Sequence, residues 1–195
     1  MVAELTPRHR RALEKHFLAL GVEDRWLRFG NALGDSAVCA YVSRIDLERD
    51  AVFGVFGDDL RLLGVAHLAR SDASAELGVS VLAGSRGHGI GSALLARAHT
   101  HARNWGVRAL YMHCLAENAA MMHLARAQGM DIVTESGEAD AWLSLPPANA
   151  SSHFGELFEQ RVALFDHALK IQLRNVRRLA GAFGASSPHG QRKAG

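Results

Sequence analysis

The sequence has little cysteine, little net charge and no long apolar run, and each shortage excludes a class of protein. Two cysteines, Cys39 and Cys114, in 195 residues cannot build a disulfide framework. Both sit in apolar, strand-like runs and read as buried free thiols of a reducing compartment. No window approaches the ~20 apolar residues that span a bilayer. The N-terminal MVAELTPRHRR lacks the apolar core of a signal peptide. The expectation is a cytoplasmic protein with no membrane partner. With 22 Lys+Arg against 20 Asp+Glu, the net charge is +2, too small for the electrostatic footprint of a dedicated nucleic-acid binder. Eleven histidines show no paired metal-site spacing. His99 and His101, two apart on an expected helix, point away from each other, so no metal is expected.

What is present is a real core and an uneven charge distribution. Hydrophobic residues make up 48% of the chain, typical of a globular fold, and the length suits one domain or one domain plus an appendage. Residues 1–150 carry 15 basic and 17 acidic groups, whereas residues 151–195 carry 7 and 3. The final segment is therefore of a different kind. Thr6-Pro7 opens a helix, continued at helical spacing by Leu13, Phe17 and Leu20 and ended by Gly21. A second helix is predicted over Glu23–Phe29. Three strands follow, at Ala37–Arg44, Ala51–Phe56 and Leu60–Arg70, the last two joined through the turn residues Gly57-Asp58-Asp59. The remaining pattern is a strand at Ala75–Leu82, a helix from Gly89 to about Asn104 and a strand at Ala109–Cys114. A helix at about Ala119–Gln128 and a hairpin over Asp131–Leu145, turning near Ser136-Gly137, complete it.

Pro146-Pro147 marks a boundary, dividing a domain over 1–147 from an extension over 148–195. In the extension Phe158, Val162, Phe165, Leu169, Gln172, Val176 and Leu179 step by four and three, which keeps one seam along a helix of about 154–183. That seam is suited to pairing with a second copy, giving a homodimer, or to docking on its own domain. Its basic end, Lys170, Arg174, Arg177 and Arg178, could favour an acidic protein or nucleic acid, but no aromatics interleave with Arg174, Arg177 and Arg178 on their flank for base stacking, and the stretch reads first as a solvated helix face.

The chemically informative stretch is Ala75–Met130. Strand AELGVSVL runs into the loop AGSRGHGIG and then a helix. Gly87, Gly89 and Gly91 remove side chains where the chain turns into a helix N-terminus. Unpaired N–H groups converge there in front of the positive end of the helix dipole, which suits a phosphate. Arg86 adds a cation at the mouth. The sequence lacks the Gly-Lys-Ser/Thr of a P-loop. It also lacks the acid that a dinucleotide fold places at the tip of the next strand, since Glu117 lies too far beyond ALYMHC.

Arg86-Gly87-His88-Gly89-Ile90-Gly91 resembles the pyrophosphate-binding signature, Arg/Gln-x-x-Gly-x-Gly/Ala, of the GNAT superfamily of acyl-CoA-dependent N-acetyltransferases. The element order around it agrees: strand, glycine turn, helix, strand ALYMHC, Glu117-Asn118, and a helix ending at Gly129-Met130. The similarity is specific over 75–130 and extends more weakly over about 3–145. The N-terminal LTPRHRRALEKHFLALGVEDRWLRFG also resembles the GNAT module of bacterial protein-lysine acetyltransferases. The resemblance implies an α/β fold: a mixed, mostly antiparallel sheet flanked by helices, with a splayed strand pair forming a cleft for acetyl-CoA. It implies that Val79 and Val81 pair through their backbones with the pantetheine arm. The N–H groups of Gly87, His88, Gly89, Ile90 and Gly91, with Ser92 and Arg86, would hold the pyrophosphate. Asn118 would bond the pantetheine region, or simply cap the following helix.

The implied activity is acetyl transfer from acetyl-CoA to a primary amine, on a protein lysine or a small molecule. A lysine-like amine has a pKa of about 10.4, so its neutral form costs roughly 4.6 kcal/mol at pH 7, and a general base relieves that cost. Glu76 is the candidate, an acid in an otherwise apolar strand, matching the position where several lysine-acetylating members place a catalytic Glu. On an alternating strand it shares a face with the small residues Gly78 and Ser80. Many members place a tyrosine seven residues after the asparagine as general acid; here that residue is Ala125, and neither His123 nor Tyr111 can be assigned in its place. The missing tyrosine keeps a second function open, that of a non-catalytic acyl-CoA sensor. Glu23, Asp24, Asp58 and Asp59 could attract a cationic acceptor or merely serve solubility.

Overall fold

The computed structural model describes residues 1–147 and Glu156. A single sheet of seven strands organises them: β1 (Val2–Glu4), β2 (Ala51–Phe56), β3 (Leu62–Arg70), β4 (Ser74–Val81), β5 (Ala109–Leu115), β6 (Asp131–Glu135) and β7 (Glu138–Ser144). Their order is β1-β2-β3-β4-β5-β7-β6. Every neighbouring pair is antiparallel except β4–β5. The mixed, mostly antiparallel α/β architecture expected from the sequence is present.

Helices cover both faces. On one, α4 (Ile90–Asn104) and α5 (Ala119–Ala127) bury Leu94, Leu95, Ala98 and Met122 against Phe53, Leu68, Leu77 and Leu110. On the other, α1 (Arg10–Leu18) and α3 (Asp35–Arg44), with α2 (Val22–Phe29) beside them, bring Leu13, Phe17, Val38 and Val42 onto Val52, Val65 and Leu62. A register shift between Val55 and Phe56 against β3 lets Leu62 join this second core. Neighbouring strand residues serve opposite cores, as the two-residue period of a strand requires.

Three expectations need correction. Residues 37–44 are not a strand but most of α3. Val38 and Val42, one helical turn apart, are both at most 1% exposed, and Gly34 and Asp35 start the helix. A short apolar run carries no periodicity that separates a buried helix from a strand, and here packing on α1 decides. Cys39 is accordingly a half-buried helical residue, whereas Cys114 is a buried strand residue as expected. The first helix opens as a 3-10 turn at Pro7–His9, and the preceding strand β1 has no signal strong enough to read over three residues.

Past Pro147, Glu156 is the one described residue, and it is not isolated. Its carboxylate accepts from Arg97 (2.7 Å), His101 and Asn104 on α4. Arg97, 3% exposed, also faces Glu4 at 3.5 Å. Burial would raise the Glu156 pKa, but the hydrogen bonds from His101, Asn104 and Arg97 override it and hold the group at about 2. A carboxylate so depressed contributes stability above its unfolded pKa near 4.5, lost as pH falls toward 2. Glu156→Ala in the full chain is expected to lose roughly 1–3 kcal/mol in urea denaturation at pH 7. A loss within error of zero would mean that the Glu156 contact with α4 does not contribute to stability. The predicted helix over 154–183 and its seam lie otherwise outside the described residues.

Candidate active site

The parallel pair β4–β5 is short. Ser74, Ala75 and Glu76 pair with Ala109, Leu110 and Tyr111, and beyond Glu76 the two strands part. The edge of β4 from Gly78 to Val81 is therefore unpaired on that side, and a cleft opens along it. Helix α2 lies over this opening. The Trp26 indole N–H donates to the Glu117 carboxylate at 2.9 Å, and the Asn118 amide donates to the Leu27 carbonyl at 3.3 Å, so α2 is tied to the loop between β5 and α5.

The cleft holds two cavities. The first, about 400 Å³, is lined by Val79, Ser80 and Val81 of β4, by Arg86, Gly87 and Gly89 to Ser92, and by Asn118, Met121 and Leu124. This is the stretch singled out from the sequence, now gathered around one space. His88 is the exception: it is exposed and does not line the cavity. Gly87 and Gly89 take φ of +76° and +74°, the left-handed region that glycine enters without steric cost. Gly89 thereby turns the chain directly into α4. The first N–H to bond back within the helix is that of Ala93, to the Gly89 carbonyl at 3.0 Å, so the N–H groups of Ile90, Gly91 and Ser92 have no partner within the helix. These donors fit a pyrophosphate. The Arg86 guanidinium is engaged with Asp24 of α2 and with the Val81 carbonyl at 3.2 Å.

Asn118 combines two structural tasks. Its side-chain oxygen accepts from the Met121 N–H at 3.2 Å, capping α5, while its amide holds Leu27. It is 7% exposed and lines the cavity. Ser80, also in the wall, is held from behind by His16 of α1. The His16 Nδ1–H donates to the Leu62 carbonyl and Nε2 accepts from the Ser80 hydroxyl, both at 2.9 Å. A carbonyl can only accept, so this pattern fixes the neutral tautomer.

The second cavity, about 540 Å³, continues past the end of β4–β5 pairing. Its walls include Arg28, Tyr41, His67, Glu76, His113 and Glu138. Glu76 is exposed and has no hydrogen-bond or ion-pair partner among the described residues, so its carboxylate is available to a ligand. The hydrogen bond to Asp140 at 2.8 Å raises the His113 pKa.

Sequence reasoning missed Arg28, Tyr41 and His67 in the wall of the second cavity, and Asp50, which lies 3.0 Å from His67 Nε2. One signal was present: Gly78 interrupts an apolar strand, and a glycine inside a strand often marks the close approach of another group. Here that group is Arg28, whose Nη2 lies 2.3 Å from where a Cβ on residue 78 would sit.

The model of the acetyltransferase (GNAT) family matches residues 12–130. The chain belongs to the GNAT acetyltransferase family. It is an acyl-CoA-dependent N-acetyltransferase. Solved structures agree in fold. The GNAT domain of S. lividans PAT is 20% identical over 74% of this chain and 89% of that one, with a TM-score of 0.63. The ribosomal-protein-alanine N-acetyltransferase of Brucella melitensis is 21% identical over 74% and 99%, with a TM-score of 0.58. The spermidine N-acetyltransferase of Vibrio cholerae, solved with CoA and spermine, is 17% identical over 74% and 94%, with a TM-score of 0.59. No curated protein matches this chain in sequence.

Proposed function

We propose that this acetyltransferase moves the acetyl group of acetyl-CoA to a primary amine by direct attack, with Glu76 as general base. The observation that carries the reading is the meeting of two cavities where β4–β5 pairing stops, one lined by the glycine turn and the other by Glu76. In this reading the N–H groups from Gly87 to Gly91, with Ser92 and Arg86, receive the pyrophosphate. His88 contributes through its backbone alone. The unpaired edge at Val79 and Val81 receives the pantetheine as an added strand would be received. Asn118 faces the same arm with the capacity its two structural bonds leave.

The acceptor amine occupies the second cavity. Glu76 and Glu138 in its wall favour a cationic amine before deprotonation, a protein lysine or a small amine alike. Ala125, 2% exposed, offers no proton to the departing thiolate, which takes one from water. A thiol-release assay over a panel of amines and lysine peptides, run beside thermal shift with acetyl-CoA, tests the reading. Expected are stabilisation by acetyl-CoA and acceptor-dependent release of CoA. Stabilisation without release on any acceptor would favour an acyl-CoA sensor, and no stabilisation would overturn both functions.

A further inference from the structure

Two residues line both cavities, Leu27 and Arg28, and Arg28 alone of them carries charge. Its guanidinium rests on β4 at Gly78, with Nη2 and Nη1 at 2.3 and 2.7 Å from the position of a Cβ there. That point lies between Glu76 and Val79, so the cation sits at the passage from the phosphate-side cavity to the acid-side cavity.

A chain of hydrogen bonds holds it. Nη2 donates to the Tyr41 hydroxyl at 3.0 Å, and that hydroxyl donates to His67 Nδ1 at 2.8 Å. His67 Nε2 then donates to Asp50 at 3.0 Å, whose other oxygen accepts from the Arg70 N–H at 3.2 Å. Each group in this order has its donor and acceptor matched, with His67 neutral. Burial acts in the same sense, lowering the His67 pKa and raising that of Tyr41. Phe17, Phe29 and Tyr41 lie 5.9, 5.1 and 5.8 Å from the guanidinium carbon. Contact with ring faces stabilises the cation but does not use its N–H groups. The Nε–H is buried without a partner, and Tyr41 is the only hydrogen-bond partner the guanidinium has among the described residues. Buried cationic donors are seldom left unmatched. The Nε–H is closed off from the cavities, whereas Nη1 is not and has no partner among the described residues, so a ligand oxygen at the junction would be met by Nη1.

We propose that Arg28 is a catalytic residue of the transfer, polarising the thioester carbonyl and holding the negative charge that develops on its oxygen. This rests on the acetyl-transfer reading above. The amine nitrogen attacks the carbonyl carbon and the C=O π pair moves onto the oxygen facing Arg28. The ammonium has given one proton to Glu76 before this attack, and the nitrogen, once bonded to the acetyl carbon, gives a second to water. Collapse of the oxyanion breaks the C–S bond, releasing the amide and CoA thiolate, which is protonated by water. A fixed cation aimed at developing charge is the largest single lever in such chemistry. Tyr41 is a positioning residue, acting through Arg28.

The test compares wild type, Arg28→Met, Arg28→Lys and Tyr41→Phe in the full chain. Arg28→Met is expected to lose about 10²–10³-fold in kcat while acetyl-CoA affinity stays within about threefold, with Arg28→Lys recovering part of the loss. The infrared carbonyl stretch of bound 1-13C-acetyl-CoA should lie below its free value in wild type and return toward it in Arg28→Met and, in part, in Tyr41→Phe. An unchanged stretch in Arg28→Met, a kcat within about threefold of wild type, or a loss confined to the acceptor KM would overturn the assignment. If Arg28→Met does not fold, Tyr41→Phe decides, and unchanged kcat and stretch there overturn it. Wild type that binds acetyl-CoA with the carbonyl at its free frequency overturns the Arg28 role alone. Wild type that does not bind acetyl-CoA overturns the acetyl-transfer reading itself.

Discussion

Glu76→Gln is expected to lower kcat by about 10²–10⁴-fold, the range a positioned general base supplies, with acetyl-CoA affinity unchanged. The substitution keeps the shape of the side chain and removes only its capacity to take a proton. Glu76 lies in the last residue pair of β4 with β5, opposite Tyr111, and lines the acid-side cavity but not the phosphate-side one. Loss of charge there should leave the CoA-binding wall intact. Raising the pH should restore part of the rate, because the acceptor then arrives neutral and needs no base. Equal kcat/KM for wild type and Glu76→Gln at pH 7 would remove Glu76 from the chemistry. A parallel fall in acetyl-CoA affinity would instead assign it to structure.

The second large effect is on stability, and its sign follows from His16. Burial, at 2% exposure, lowers its pKa from 6.5 to about 4, against the raising influence of the Leu62 carbonyl and with the Arg28 charge acting in the same direction as burial. The folded chain thus binds fewer protons at His16 than the unfolded chain between these two values. Its contribution is complete above pH 6.5, declines as pH falls through 6.5, and levels off near pH 4. A difference of this size corresponds to about 3 kcal/mol at most. Urea denaturation of wild type and His16→Gln from pH 8 to pH 4 is the measurement. Wild type should lose stability more steeply, and identical slopes would show that His16 titrates as an ordinary surface histidine. The comparison between variants matters because His67 and His99 shift downward too, both mainly through burial, while His113 shifts upward. The cleft feels the same event. A protonated His16 can no longer accept from the Ser80 hydroxyl, which must turn to accept from Nε2–H instead.

The site was legible in the sequence to the extent that its parts are contiguous. Gly87, Gly89 and Gly91 at the start of a long amphipathic helix can be read because a backbone turn and a helix N-terminus are local events, set by φ preferences and hydrogen-bond geometry. The β2–β3 and β6–β7 hairpins were readable for the same reason, through Gly57-Asp58-Asp59 and Ser136-Gly137. Glu76 stood out as an acid in an apolar strand. Both possible tasks of Asn118 are legible from its place before α5, and the structure gives it the capping bond within the cavity wall.

Arg28, Tyr41, His67 and Asp50 were not legible, because nothing local links residues so far apart along the chain. Tyr41 was further hidden by the run at 37–44, whose apolar residues fit a strand until Val38 and Val42 face α1 and make it a helix. Arg97 is a similar case: nothing local marks it, yet it is buried against Phe53 and joined to Glu4 and Glu156.

The charge and cysteine shortages, the glycine turn and the order of strands and helices were thus determined by the sequence alone, since each depends on composition or on neighbours within a few residues. Only the tertiary structure decided that β4 and β5 part after Glu76, that α2 roofs the opening, and that Arg28 sits where two cavities meet. Those outcomes come from burying two hydrophobic cores on opposite faces of one sheet, an energy that belongs to the whole chain and to no segment of it.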